Sequence, residues 1–140
     1  MKGCNLIAIK RNTEPDGTLF VMEHGREVPF PIERIFFVSG VAPGASRGDH
    51  ATRETRLILF PVAGSCDVVV DDGTDSETFR MDDPARGLMI DPMIWRSMRN
   101  FSADCVMMAV CDRPFAPGRE TIDDYESYRL AVRGGEGERP

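Results

Sequence analysis

The stretch RGDHATRET, Arg47 to Thr55, carries one of the chain's two histidines, set between arginines and beside an aspartate. Imidazole is the side chain whose ordinary pKa, about 6.5, lets it take and give a proton near neutral pH. Side chains alternate along a strand, so His50 and Thr52 share one face there while Asp49, Ala51 and Arg53 point the other way. The Thr52 hydroxyl can hydrogen-bond a ligand but cannot shuttle protons at neutral pH. Arg47 and Arg53 offer forks that suit phosphate or carboxylate oxygens. Further along, IWRSMRN supplies Arg96, a fixed cation that can steady an anion but cannot act as a base, and Trp95, whose ring can stack on a base or pack at a rim. The other histidine, His24 in MEHGRE, falls in a polar turn and is expected only to be solvated.

Such residues need a frame. With 140 residues the chain suits one domain able to bury a single core, expected over residues 1–132. The ending RGGEGERP has nothing to bury, so residues 133–140 are expected to form a flexible tail. A net charge of −6, with acidic residues spread along the chain, speaks against nucleic acid as a partner. Lys2 and Lys10 are the only lysines, so nearly all basic groups are arginines, a bias that would also suit a phosphorylated ligand. No apolar run approaches the length of a membrane span, and the N-terminal run NLIAIK is too short for a signal-peptide core. A cytoplasmic protein with no membrane partner is expected. Cys4, Cys66, Cys105 and Cys111 show no CxxC spacing and sit in or beside apolar runs, which predicts buried free thiols.

Short strand patterns fill the first 111 residues: NLIAIK, GTLFVME, RIFFVSG, TRLILFPV, CDVVVDD, ETFRM, GLMID, IWRSMRN and DCVMMAVC. Turn chemistry separates them, in EPDG, APGAS, AGS, DDGTD, DDPARG and DPM. No helical period interrupts the series, so an all-β antiparallel sandwich, jelly roll or barrel is predicted. Phe36 and Phe37 read most simply as core, and Glu54 and Arg56 as cross-strand charge partners. After Cys111, DRPFAPGRE reads as a linker. TIDDYESYRLAV then reads as a short terminal helix capped at its Thr-x-x-Asp start, with Ile122, Tyr125, Tyr128 and Val132 on one face.

A small β domain with these motifs resembles a cupin. Metal cupins carry His-x-His with a following Glu and Gly, then a second motif of Gly, Pro, His and Asn. Here those places hold His50, Thr52, Glu54 and Gly64, then Gly87, Pro92, Arg96 and Asn100. A guanidinium cannot coordinate a cation and would repel one, so no metal and no cofactor is expected. Taken in order, VPFPIERIFFVSG, RGDHAT, GSCDVVVDDG, GLMIDPMIWRSM and FSADCVMMAVCD resemble the metal-free cupin family of sugar 3,4-ketoisomerases, from about Asn12 to Leu130. That family interconverts dTDP-4-keto-6-deoxyglucose and its 3-keto isomer. Its first motif resembles Arg-Gly-x-His-Ala-His-Lys, against which Arg47, Gly48, His50 and Ala51 match, while Thr52 and Arg53 replace the second histidine and the lysine. A tyrosine pair of the family is Phe36-Phe37 here, and its Trp-His is Trp95-Arg96.

The resemblance implies a cupin jelly roll with a short C-terminal helix. It also implies an isomerase working through an enediol, a nucleotide-activated sugar as ligand, and a homodimer whose N-terminal strand joins the partner's sheet. Moving a ketone from C4 to C3 needs a base near pKa 7 and a group that steadies the enolate oxygen. His50 is the expected catalytic base, and Arg47, Thr52, Arg53, Trp95 and Arg96 are the expected substrate-binding residues. Two alternatives stay open: a nucleotide-sugar-binding cupin with impaired catalysis, and a related cupin acting on a different anionic substrate.

Overall fold

The computed structural model describes residues 1–134. Its elements in chain order are β1 (Cys4–Ala8), β2 (Lys10–Glu14), β3 (Gly17–Val21), β4 (Arg34–Ser39), β5 (Arg47–Thr52) and β6 (Leu57–Ala63). They continue with β7 (Cys66–Asp71), β8 (Ser76–Met81), β9 (Arg86–Ile90), β10 (Trp95–Arg99), β11 (Val106–Cys111), β12 (Thr121–Ile122) and the helix α1 (Tyr125–Arg133). One sheet runs β1-β9-β6-β11-β4 and the other β12-β5-β10-β7-β8, while β2 and β3 pair only with each other as a hairpin. All these pairings are antiparallel. The result is an all-β antiparallel fold with one C-terminal helix, the class that the strand and turn pattern predicts and the jelly roll that the family resemblance implies.

The two sheets face each other across a core that period-2 patterning builds. In β7, Cys66, Val68 and Val70 point inward and are fully buried, while Asp67, Val69 and Asp71 alternate outward. They meet Leu57 and Leu59 of β6, Leu88 and Ile90 of β9, and Met107 and Ala109 of β11 in one cluster. All four cysteines are buried and unbridged. The β6–β7 turn closes against the β10–β11 loop at Gly64, which has φ +65°. A Cβ there would meet the Ser102 hydroxyl and lie 2.7 Å from the Cys105 Cα, so this turn requires glycine.

In five places the sequence reading and the fold part company. Thr121 and Ile122 form β12 on the edge of β5 and do not start the helix; α1 begins at Tyr125, capped by the Asp124 carboxylate accepting from the Ser127 amide. The helix reaches Arg133, one residue beyond the expected domain limit, and residues 135–140 of the expected tail lie outside the described residues. Phe36 packs on the core, but Phe37 is 63% exposed, because β4 alternates and only Arg34, Phe36 and Val38 turn inward. Glu54 and Arg56 do not pair with each other: Glu54 meets Arg113 at 3.5 Å and Arg56 meets Asp91 at 3.2 Å. KRNTE, too polar to register as a strand, is β2 because it pairs along its whole length with β3.

The helix is held to the outer face of β5 and β10 by Ala51, Ile122, Tyr128 and Ala131. The Tyr128 hydroxyl lies 2.8 Å from the Met93 carbonyl and 2.9 Å from the Asp71 carbonyl, bridging the turn before β10 and the end of β7. Tyr128→Phe leaves both acceptors without this donor and should lower unfolding free energy by about 1–3 kcal/mol. A lower urea midpoint at unchanged slope is the expected result, and an unchanged midpoint would contradict this role.

Candidate active site

A cavity of about 540 Å³ opens between the two sheets at one end of the sandwich. Its walls come from β4 (Arg34, Phe36), β5 (His50, Thr52), β10 (Arg96) and the segment before β12 (Phe115, Glu120). The register explains the convergence. His50 is paired with Arg96 across β5 and β10, so the two side chains share the inward face. Thr52 follows two residues later on the same face, while Ala51 turns outward beneath the helix.

A bulge sets the approach to His50. Gly48 pairs with Ser97 and His50 with Arg96, leaving Asp49 as an extra residue. Gly48 and Asp49 both adopt positive φ, +86° and +54°. A Cβ on Gly48 would sit 3.2 Å from the Arg96 carbonyl oxygen, so glycine suits the position on both counts. The bulge brings the Gly48 carbonyl 2.7 Å from His50 Nδ1. A carbonyl only accepts, so Nδ1 carries the proton and Nε2 keeps its lone pair. Burial, and next the Arg96 guanidinium, push the imidazole below its ordinary value. The Gly48 carbonyl, Asp49 and Asp123 act in the opposite direction without offsetting this. His50 is therefore neutral at pH 7, with a free basic nitrogen.

Arg96 is 4% exposed. Burial lowers its pKa to about 10, which still leaves it cationic at neutral pH. Its Nη1 donates to the Thr52 hydroxyl at 3.3 Å, and Thr52 in turn donates to the Thr55 carbonyl at 2.9 Å. Among the described residues no carboxylate forms an ion pair with Arg96 or Arg34. The nearby Cys111 thiol is pushed up by burial, so it stays neutral and is no counter-ion. Arg34 lies over the Phe36 and Phe115 rings at 5.5 and 5.6 Å, and its buried Nε has no hydrogen-bond partner. The Glu120 carboxylate accepts from the Glu54 and Thr55 amides and the Thr55 hydroxyl. Burial alone would raise Glu120, but these donors prevail, hold it below its ordinary value and keep it ionised. The pocket thus combines one neutral base, two guanidiniums and one carboxylate, an electropositive site for an anionic ligand.

Of the residues singled out in the sequence, His50, Thr52 and Arg96 come together on the cavity wall. Arg47, Arg53 and Trp95 do not line it. Arg47 is exposed. Arg53 Nε donates to the Arg119 carbonyl at 2.7 Å, and Trp95 packs outside the sheet against Tyr125 and Tyr128. Arg34, Thr55, Phe115 and Glu120 went unnoticed. Arg34 did leave a signal, a charge on the inward period of an apolar strand; Phe115 and Glu120, inside an irregular connection, left none.

The donors do not fit a transition metal. Thr52 is engaged with a carbonyl, Arg96 is a cation, and Glu54 is exposed beside Arg113. Among the described residues no three His, Cys, Asp or Glu side chains converge in metal-binding range.

Comparison with known proteins agrees with this architecture. Residues 2–133 match the family described as "FdtA: WxcM-like, C-terminal". The TDP-4-oxo-6-deoxy-alpha-D-glucose-3,4-oxoisomerase of Aneurinibacillus thermoaerophilus is 31% identical over 127 residues, 91% of each chain. The structure of WlaRA, a TDP-fucose-3,4-ketoisomerase from Campylobacter jejuni, is 30% identical and superposes with a TM-score of 0.87 over 94% of this chain and 96% of that one. A 3,4-ketoisomerase from Helicobacter canadensis is 29% identical, with a TM-score of 0.89 over 93% and 97%. Matched along almost its entire length, the chain belongs to the FdtA (WxcM-like, C-terminal) family, among whose relatives are sugar 3,4-ketoisomerases.

Proposed function

We propose that this protein is an isomerase that moves the ketone of a TDP-linked 4-keto-6-deoxy sugar from C4 to C3. The observation that carries the reading is the neutral His50, protonated on Nδ1, paired across two strands with a buried Arg96 that has no carboxylate partner among the described residues. His50 Nε2 takes the C3 proton, and the electron pair moves into the C3–C4 bond as O4 becomes an enolate. Arg96 meets that developing charge, with the Thr52 hydroxyl held beside it. O4 then gains a proton while O3 loses one, and the imidazolium, whose Nε2 proton exchanges with solvent through the cavity mouth, protonates C4 as the C3 carbonyl forms. Protons and charge balance, and one base suffices when both carbons are addressed from the same face. Thr52 can therefore stand where the family carries a second histidine.

Arg34, fixed between two aromatic rings, supplies the second cation for an anionic substrate. Arg53 and Trp95 support the walls, one by holding the segment before β12 and the other by seating the helix. The buried, unbridged cysteines suit a reducing cytoplasm. Incubation with TDP-4-keto-6-deoxyglucose, followed by proton NMR, should give the 3-keto isomer. Binding without turnover would favour a nucleotide-sugar-binding protein on the same scaffold.

The assembly we propose is a homodimer. Ile35, Phe37 and Val62 are 58, 63 and 48% exposed on the outer face of the first sheet. Beside them a groove of about 300 Å³ is lined by Phe20, Ile32 and Met108. Among the described residues the β2–β3 hairpin pairs with no other strand, which leaves edges for a partner. Phe37→Glu should bring the mass in light scattering at micromolar concentration down to one 15.6 kDa chain. A wild-type protein already at that mass would contradict the dimer.

A further inference from the structure

We infer that Asp49, which does not line the cavity, is a positioning residue for His50. It pins the β5 bulge to β10 and thereby aims the Gly48 carbonyl at the imidazole. One carboxylate oxygen accepts from the Ser97 hydroxyl of β10 at 2.7 Å, and the other from the Ser46 hydroxyl at 2.7 Å. The Asp49–Ser97 contact lies on the side of the sheet facing Trp95 and Tyr125, opposite the cavity. The Gly48 carbonyl belongs to the rigid peptide plane that ends at the Asp49 Cα. Fixing Asp49 at φ +54° therefore fixes where that oxygen points, and it points at His50 Nδ1. Aspartate tolerates this backbone region better than most residues with a Cβ. The chain has thus placed a two-armed clamp behind the residue that selects the tautomer of its base.

The charges around the ring are Arg96 from β10, Arg34 from β4, Glu120 before β12, Asp123 after it, and Asp49 itself. Of these, Asp49 and Asp123 favour the imidazolium, so removal of the Asp49 charge lowers the imidazole pKa further.

The kinetic part of this inference rests on the isomerase reading, whereas the tautomer is read without substrate. In nitrogen-15 NMR of the full chain, the two histidines are told apart by the signals lost in His50→Asn. Wild type should show His50 protonated on Nδ1 alone. Asp49→Ala should show a mixture of tautomers, with kcat down about 10- to 100-fold and KM little changed. Ser97→Ala should change both in the same direction by less. Asp49→Asn keeps a side-chain acceptor and tolerates the left-handed backbone, so it should restore the tautomer and most of kcat. Its acid limb should move to lower pH, because the carboxylate charge is gone. An Asp49→Ala protein that keeps the pure Nδ1–H tautomer would overturn the inference, as would an Asn variant no better than Ala. A protein with the expected tautomers but no turnover would sink the isomerase reading and leave the clamp standing.

Discussion

His50→Asn should reduce isomerisation by about 100- to 10,000-fold, the usual cost of removing a general base. Asparagine matches the imidazole closely in size and polarity, so the fold and binding of the TDP-sugar should survive, with KM within a few-fold of wild type. Asp49 and Gly48 stay in place, since neither depends on the ring to form the bulge. The same assignment fixes a pH dependence. The working form is neutral imidazole, and burial with Arg96 lowers its pKa. Wild-type kcat/KM should therefore hold at neutral pH and fall only as pH drops through a value below about 6.5. An acid limb above that value would mean that a different group supplies the base.

The second large effect is expected at Arg96, where activity and stability should move in opposite directions. A guanidinium buried to 4% exposure, donating to Thr52 at 3.3 Å and with no carboxylate partner among the described residues, is costly to the fold. Burial lowering its pKa to about 10 expresses the same cost. Arg96→Met fills much of the volume with an apolar chain beside Met98 and Cys111, so the melting temperature should hold or rise. Removing a preorganised charge from the enolate oxygen should lower kcat about 100- to 1000-fold. A variant that melts much lower would show Arg96 to be a structural residue. One with unimpaired kcat would show that the enolate is stabilised from elsewhere, Arg34 being the other guanidinium in the cavity.

Much of this was legible in the chain before any coordinates. Strands buried on one face announce themselves, as in CDVVVDD, where alternate residues from Cys66 to Val70 are fully buried. The cavity-facing side of β5 was legible for the same reason, since period 2 joins His50 to Thr52. What sequence alone could not supply is the cross-strand register that places Arg96 opposite His50. Register depends on the Gly48–Asp49 bulge, and that follows from a sheet pairing between distant segments. Arg47 and Arg53 fall outside the cavity lining, because charge at the right spacing says nothing about which end of a strand reaches the cavity. Trp95, which could have stacked on a base or packed at a rim, packs against the helix. Phe115 and Glu120 arrive from an irregular connection in which no periodicity marks direction.

The central claim is that His50 enolises the sugar. In deuterium oxide with TDP-4-keto-6-deoxyglucose, proton NMR should show the wild type introducing deuterium at C3 of recovered substrate and at C4 of the 3-keto product. His50→Asn, folded and still binding TDP, should introduce almost none in the same time. Exchange by His50→Asn at the wild-type rate would contradict the account, because the proton at C3 would then be leaving to another base.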